Sequence, residues 1–323
     1  MLKVVTGSFH PCLESAFVQH LQEAKAADPF APIAVIVPSA TLLDRLRRLL
    51  TLERRLSLLN VHFFTFHQLA LRLSDEICQA GHAVPMRVVD DLFFEQLVRH
   101  LVRNRLSGLT ALQQIGHSSG TWAALWSSIR DLKDAGVDPA EAQRGIDEGC
   151  FEPDDRDWLY ALFSLQAAVK KVGRTLDVGT ADDLAESLLP FIQLSPLLGS
   201  LRHIFYYGFY DLTQIQLSLF ETVTAAAPAT LFFPLGEEPS FAFARRFFER
   251  HIQRQVTVPG GHTSLRDSSR PDAVSPAISV RSVIGVDQEL ASTCRMILEL
   301  VETNGYRFDE IGVAGRTLDP YRL

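Results

Sequence analysis

The residues whose spacing carries most chemistry are Gly7, Cys12, Leu13 and Glu14. They stand in Lys3-Val4-Val5-Thr6-Gly7-Ser8-Phe9-His10-Pro11-Cys12-Leu13-Glu14-Ser15, which reads as a short apolar strand, a glycine turn and a helix start. That is the setting of a phosphate-binding loop. Such a loop needs a second glycine so that backbone N–H groups can wrap the phosphates, a lysine for the terminal phosphates, and a Ser or Thr for Mg²⁺. Counted from Gly7, those three places hold Cys12, Leu13 and Glu14. A carboxylate there repels phosphate, and no cation replaces the lysine. Phosphoryl chemistry needs a second element, two adjacent carboxylates at another strand end that hold Mg²⁺ and orient water. The matching segment is His203-Ile204-Phe205-Tyr206-Tyr207-Gly208-Phe209-Tyr210-Asp211, and Tyr207 and Gly208 fill the two acidic places. Two independent losses predict that the chain does not hydrolyse ATP.

Other chemistries find less support in the spacing. His62 and His67 are five apart around a strand, an odd separation that puts extended residues on opposite faces, so no metal site is expected. A Mg²⁺ nuclease would need Pro-Asp followed by Asp/Glu-x-Lys. Pro153-Asp154 and Pro271-Asp272 are the only candidates, Ala168 and Val169 precede Lys170 and Lys171 by two places, and no lysine follows Lys171. Cys12, Cys78, Cys150 and Cys294 show no CxxC spacing and read as free thiols in a reducing cytoplasm.

The elements that must position these residues alternate. Lys3–Thr6, Ile33–Val37 and Val61–Thr65 are short apolar runs, each followed by a helical pattern, which predicts a parallel sheet covered by helices. From about Val88 to Leu189 strands stop. Asp90-Asp91 starts a helix with Leu92, Phe93, Gln96, Leu97 and His100 on one side. Trp122, Leu125, Trp126, Ile129 and Leu132 form a second helical face, and Trp158, Leu159, Leu162, Leu165 and Val169 a third. Gly136 ends the second helix, and Asp138 and Pro139 start the next. The sheet resumes with His203–Tyr207 and Ala229–Phe233 around a helix at Gln214–Ala226. Pro259–Pro276 reads as a linker. Ile278–Ile284, a helix Gln288–Asn304 and a strand Ile311–Ala314 then open another α/β unit.

The 323 residues are 47% hydrophobic with a net charge of −7. That allows two or three domains with real cores and gives no global basic field to draw in nucleic acid. Basic charge is nearly all arginine, with a cluster at Arg45, Arg47, Arg48, Arg54 and Arg55 that suits either a DNA channel or a solvated helix face. No apolar run reaches the length of a membrane span.

Several ordered segments resemble the AddB/RexB family, whose members are subunits of bacterial helicase–nuclease complexes that process double-strand breaks. The segment Gly208-Phe209-Tyr210-Asp211-Leu212-Thr213, followed by Gln216, is similar to a family signature. Helicases of the UvrD/Rep type carry Asp-Glu-Phe-Gln-Asp there, with a Gln some residues later. Phe209, Asp211 and Gln216 keep that pattern, and Tyr207 and Gly208 break it. Val37-Pro38-Ser39, the run Thr65-Phe66-His67-Gln68-Leu69-Ala70, the turn Leu132-Lys133-Asp134-Ala135-Gly136-Val137 and Asp309–Arg316 resemble further family segments in the same order.

The resemblance implies a RecA-like parallel sheet of the P-loop NTPase, UvrD-like helicase type, built from about residues 1–88 and 190–275. An all-α insertion would fill 89–189, and 276–323 would begin a second, truncated RecA-like domain. It implies a degenerate nucleotide site at Gly7, Cys12, Leu13, Glu14, Tyr207, Gly208, Asp211, Gln216 and Arg316. DNA contacts would come from loops after the second and third strands, at Ser39, Thr41, Thr65, Phe66 and His67, through hydroxyls, backbone N–H groups and a stacking ring. The partners implied are DNA, as a single strand or duplex end, and an AddA/RexA-type motor subunit that supplies ATP and Mg²⁺ chemistry. This chain would need no cofactor. The expected role is an inactivated helicase that guides or scans a strand during DNA repair. The alternatives are an active ATP-dependent helicase with an unorthodox nucleotide site and a docking scaffold for the motor subunit.

Overall fold

The computed structural model describes residues 2–82, 85–104, 110–113, 119–236, 239–255, 261–265 and 279–315. The chain divides into two units, Met1–Ser268 and Ser269–Leu323. In the first unit the strands are β1 (Leu2–Gly7), β2 (Ile33–Val37), β3 (Val61–Thr65), β4 (Arg87–Val88), β5 (Val178–Gly179), β6 (His203–Tyr207), β7 (Ala229–Pro234) and β8 (His262–Ser264). The helices are α1 (Glu14–Ala27), α2 (Ala40–Arg48), α3 (Phe66–Gln79), α4 (Asp91–Arg103), α5 (Thr110–Gln113), α6 (Ser119–Asp134), α7 (Pro139–Asp147), α8 (Arg156–Thr175), α9 (Ala181–Leu188), α10 (Pro196–Ser200), α11 (Gln214–Ala226) and α12 (Ala242–Phe247).

Every residue of β2 and of β7 is buried, the signature of strands covered on both faces. They belong to a six-stranded, all-parallel sheet in the order β3-β2-β6-β7-β1-β8. Alternate side chains feed two separate cores. Ala34, Ile36, Ile204, Tyr206, Leu231 and Phe233 pack with α3, α9, α11 and α12 on one face. Ile33, Val35, Val37, Phe205, Tyr207 and Phe232 pack with α1 and α2 on the other. A right-handed crossover sends the chain to one face when it moves one way along the sheet and to the opposite face when it moves back. The connections after β1 and β2 therefore leave on the α1/α2 face, and those after β6 and β7 on the other. All carboxyl ends lie along one edge, and at β1/β7 and β2/β6 neighbouring strands send their connections apart. Open α/β sheets take ligands at such switch points.

The helical block packs its own core. Phe94, Val98, Leu101, Trp126, Ile129, Leu162 and Leu165 form it, with Phe94 stacked on Trp126 at 4.4 Å and 10°. The Trp126 indole N–H donates to Asp91 Oδ1 at 2.7 Å, so this buried ring leaves no orphan donor. On α4 the buried side is Phe94, Val98, Leu101 and Val102, one position round from the Leu92–His100 side, and Leu92 is exposed. On the other two helical faces Trp122, Leu125, Trp126, Ile129, Leu162, Leu165 and Val169 are buried, Leu132 and Leu159 are half-buried, and Trp158 is exposed. The block belongs to the same compact unit as the sheet. The block is not wholly α as expected: the two-residue strand β5, inside it, pairs in parallel with β4, because its entry and exit lie side by side, and together they hold those ends.

Two expectations need correction. Pro259–Pro276 reads as a linker, yet His262–Ser264 form the edge strand β8 against β1. Three polar, exposed residues carry no alternating pattern, and only the free edge of β1 makes them a strand. Residues 266–276 of that stretch lie outside the described residues. In the second unit the helix α13 (Val286–Glu302) is present, but residues 279–284 and Ile311–Ala314 are not strands. A parallel strand is defined by its ladder partner, and among the described residues of this unit none is offered. No helix of the described residues is long and apolar enough to cross a membrane.

Candidate functional site

The segments that resemble a nucleotide site converge at the carboxyl edge, and their side chains close it. After β1 the chain runs through Ser8 into a single wide turn, Phe9–Leu13, which leads directly into α1. Leu13, at the place of the phosphate lysine, is fully buried between α1 and the sheet. Glu14 opens α1, so the helix start that would greet a phosphate carries its own carboxylate. That carboxylate lies 3.6 Å from His10 Nδ1 and 3.9 Å from Arg45 Nη2, and Arg45 also pairs with Glu53. The acid is thus engaged within the fold.

The β6 end supplies the other half of the closure. Tyr207 is buried, 5.1 Å from the Phe17 ring and 5.2 Å from Phe9. Burial pushes its phenol well above the ordinary range, and Glu14 and Tyr210 add to the shift. Tyr207 therefore stays neutral and cannot replace a metal-binding carboxylate. Gly208 turns the chain with φ +86°, and a Cβ there would overlap Leu42 Cδ2 and sit 3.5 Å from Phe9 Cε2. The positive φ favours glycine here, and a Cβ would also have to displace the Leu42 methyl. Phe9, Leu42 and Tyr207 pack together at this strand end.

The remaining residues of the pattern do structural work. Gln216 accepts from Thr213 N–H at 3.3 Å, and Thr213 Oγ1 accepts from Gln216 N–H at 3.3 Å. This capping box at the start of α11 accounts for the Thr-x-x-Gln spacing. Thr65 and Gln68 form the same box at the start of α3. Ser39 caps α2 by accepting from Leu42 N–H at 3.2 Å. Phe66 is a core residue, 8% exposed and 5.1 Å from Phe209, so its ring is turned away from solvent. Ser39, Thr41, His67 and Asp211 are exposed, Thr65 is half-buried, and Arg316 lies outside the described residues. Of the arginine cluster, Arg45 is engaged with acids and Arg47 lies 5.3 Å over the Phe63 ring. Arg48, Arg54 and Arg55 are exposed. His62 meets Asn60 Oδ1 at 3.1 Å. Among the described residues no group of three or more His, Cys, Asp or Glu is placed to hold a metal ion.

Sequence reasoning missed the rings that do reach solvent at this edge. Tyr210 stacks on Phe9 at 6.3 Å and 21°, and Phe243 continues the row 6.2 Å from Tyr210. Tyr210 is 36% and Phe243 55% exposed. The available signal was Tyr210 itself, an aromatic three residues past a strand end; Phe243 comes from a helix with no motif. The row can offer a flat apolar face, and the hydroxyls of Ser39, the cap of α2, and Thr41, in its first turn, lie at the same edge. Scanned against protein-family models the chain has no match, and a search of curated proteins finds no significant relative.

Proposed function

We propose that this chain is the N-terminal, inactivated-helicase region of an AddB-type helicase–nuclease protein, and that it guides a DNA strand along the carboxyl edge of a RecA-like sheet without hydrolysing ATP. The observation that carries this reading is the packed strand-end site. A parallel sheet with a ligand-type switch point keeps the outline of a nucleotide site, while Phe9, Tyr207 and Leu42 occupy it and Glu14 sits at the helix start. An active helicase would need a lysine and an acidic pair there, which disfavours the unorthodox-motor alternative. The ordered resemblance to AddB/RexB segments supports the assignment to strand-break processing, with a separate motor protein as partner.

The strand would meet exposed hydroxyls at Ser39 and Thr41, His67, and the rings of Tyr210 and Phe243. Base–aromatic stacking contributes about 1–3 kcal/mol per base. The test is a titration of a fluorescent single-stranded oligonucleotide across a salt series, with Tyr210→Ala beside the parent. The expected result is binding that falls by about 0.7 log units per phosphate contact per decade of salt and weakens about tenfold in the variant. Measured turnover of Mg·ATP by the chain, or oligonucleotide binding indifferent to Tyr210, Thr41 and His67 substitutions, would sink the reading.

A further inference from the structure

The cavity of about 320 Å³ where the helical block meets the sheet layer is walled by core side chains, Phe94, Ile129 and Val169 among them. Gln166 Oε1, a buried acceptor there without a partner among the described residues, is out of reach of solvent. The side of the sheet at β3 is different, because its bonding groups face outward. β3 ends the order β3-β2-β6-β7-β1-β8 and pairs with β2 alone. In a parallel ladder each residue turns its N–H and C=O to one neighbour, and the next residue turns them the other way. Ile33 N–H donates to Asn60 O at 3.0 Å, which sets the phase. Asn60, His62 and Phe64 therefore face β2, and Val61, Phe63 and Thr65 face away from it. Gln68 Oε1 accepts from Thr65 N–H at 3.0 Å. The outward backbone groups of Val61 and Phe63 have no partner among the described residues. Such an edge is a template for another strand unless shortness, charge, proline or a bulge blunts it. β8, at the opposite edge, is blunted as three exposed polar residues. Val61–Thr65 has five residues in unbroken register and no Lys or Pro.

The two faces beside this edge differ in character. On the α2 face Arg47 lies 5.3 Å over the Phe63 ring. Arg48 on α2, and Arg54 and Arg55 in the turn between α2 and β3, are exposed as Arg47 is. None of the four forms an ion pair among the described residues, and Glu53 is taken by Arg45. In a chain of net charge −7 this is a local excess of positive charge. On the α3 face His62 stacks on half-buried Phe64 at 6.2 Å and 14°. Phe30, 72% exposed, and Leu59, 56% exposed, stand at the start of the strand. Asn60 Nδ2 donates to Phe30 O at 2.9 Å, which ties the two loops together. Side chains of an added strand would alternate between these faces. One set would meet arginines, and the other an aromatic stack.

We propose that the β3 edge docks an extended segment of a partner protein in which Asp or Glu alternates with apolar residues. Its backbone bonds to Val61 and Phe63, its carboxylates meet Arg47 and Arg54, and its apolar side chains cover the His62–Phe64 stack. A nucleic acid would satisfy the arginines but offers no peptide ladder to Val61 and Phe63. A second copy of this edge would bring two sets of arginines together. The proposal does not rest on the strand-guiding reading, since the ladder runs along the side of the sheet and not across the carboxyl ends.

The experiment is fluorescence anisotropy of the full chain with a labelled peptide of about six residues that alternates Glu with Val. Beside it run one peptide with Lys for Glu and one with two successive Pro at its centre. The expected result is salt-sensitive binding of the Glu–Val peptide, at least about tenfold tighter than either control, with slower amide exchange over residues 61–65 when it is bound. Binding should weaken about fivefold in Arg47→Glu and in Arg54→Glu. It should be unchanged in Arg174→Glu, the same charge reversal on the last turn of α8. Arg54 is exposed in a turn, so its variant is readable even if Arg47→Glu disturbs Phe63. No binding of the Glu–Val peptide at millimolar concentration, equal binding of the lysine or proline peptide, or unchanged exchange over residues 61–65 overturns the proposal. A fluorescent oligo-dT that binds where the peptide does not, and weakens in the same arginine variants, overturns it in favour of nucleic acid. Self-association in sedimentation that slows exchange over residues 61–65 without peptide overturns it in favour of a second copy.

Discussion

The strand-end site and the cavity beneath the helical block are opposites. The first has spacing that resembles a nucleotide site and is packed: Leu13 is buried, Phe9 lies against Tyr207, and a Cβ on Gly208 would meet the Leu42 methyl. The second has no recognisable spacing and keeps room, with an unmatched acceptor on Gln166 in its wall. The difference teaches that a motif in sequence marks where a chain once needed, or could need, a chemistry. Capacity to bind is set by volume and by polar groups left without partners.

The strongest way to break the comparison is to restore the missing lysine. Leu13→Lys would place an ammonium at a fully buried position, so the expected outcome is a loss of about 3–5 kcal/mol in urea unfolding and no gain of Mg·ATP binding. If nucleotide binding returned instead, the site would be vacant rather than packed. Gly208→Ala tests the same closure from the other side. Its φ of +86° and the overlap with Leu42 predict a cost of about 3 kcal/mol. Gly149→Ala, with φ +78° and nothing within 4 Å, should cost only about 1 kcal/mol. Equal costs would show that Leu42 yields.

Lys133→Met probes the cavity wall and should cost about 2 kcal/mol at neutral pH, because it strands Asp183. Burial pushes the Asp183 carboxyl up, but Lys133 and Thr180 together hold it below its ordinary 3.8. A depressed carboxylate contributes stability that is present above pH 3.8 and lost as pH falls through the folded value. The gap between parent and variant, followed by denaturant melts, should therefore narrow below pH 3.8; a gap independent of pH would remove the ion pair from the account. The smallest expected effects sharpen the two Thr-x-x-Gln segments. Thr65→Ala and Thr213→Ala should each cost about 1 kcal/mol as lost helix caps. A loss of oligonucleotide affinity in either, at unchanged stability, would return that threonine to a binding role.

Much of the architecture was legible before any coordinates. Ile33–Val37 is apolar throughout and Ala229–Phe233 is apolar but for Thr230, as strands covered on both faces require, while Asp90 and Asp138 mark helix starts by local hydrogen bonding and Pro139 by its fixed φ. What local chemistry writes, a sequence shows. The edge strand at His262–Ser264 was not legible because a polar strand exists only through its neighbour's free N–H and C=O groups. The absent strands of the second unit fail for the converse reason, since apolar runs without a ladder partner stay irregular. Phe66 followed a strand end, yet whether such a ring faces solvent or the Phe209 ring depends on helix placement.

By itself, then, the sequence determined the alternation of strands and helices, the helical interruption, and the absence of a lysine at Leu13 and of carboxylates at Tyr207 and Gly208, because each is written in residue type and short spacing. Only the tertiary structure decided that Phe9 packs on Tyr207 at that strand end and that Tyr210 and Phe243 reach solvent. It also brought Lys133, Gln166 and Arg174 around one cavity. Those juxtapositions come from elements far apart in the chain, and side-chain packing across them leaves no mark in local pattern.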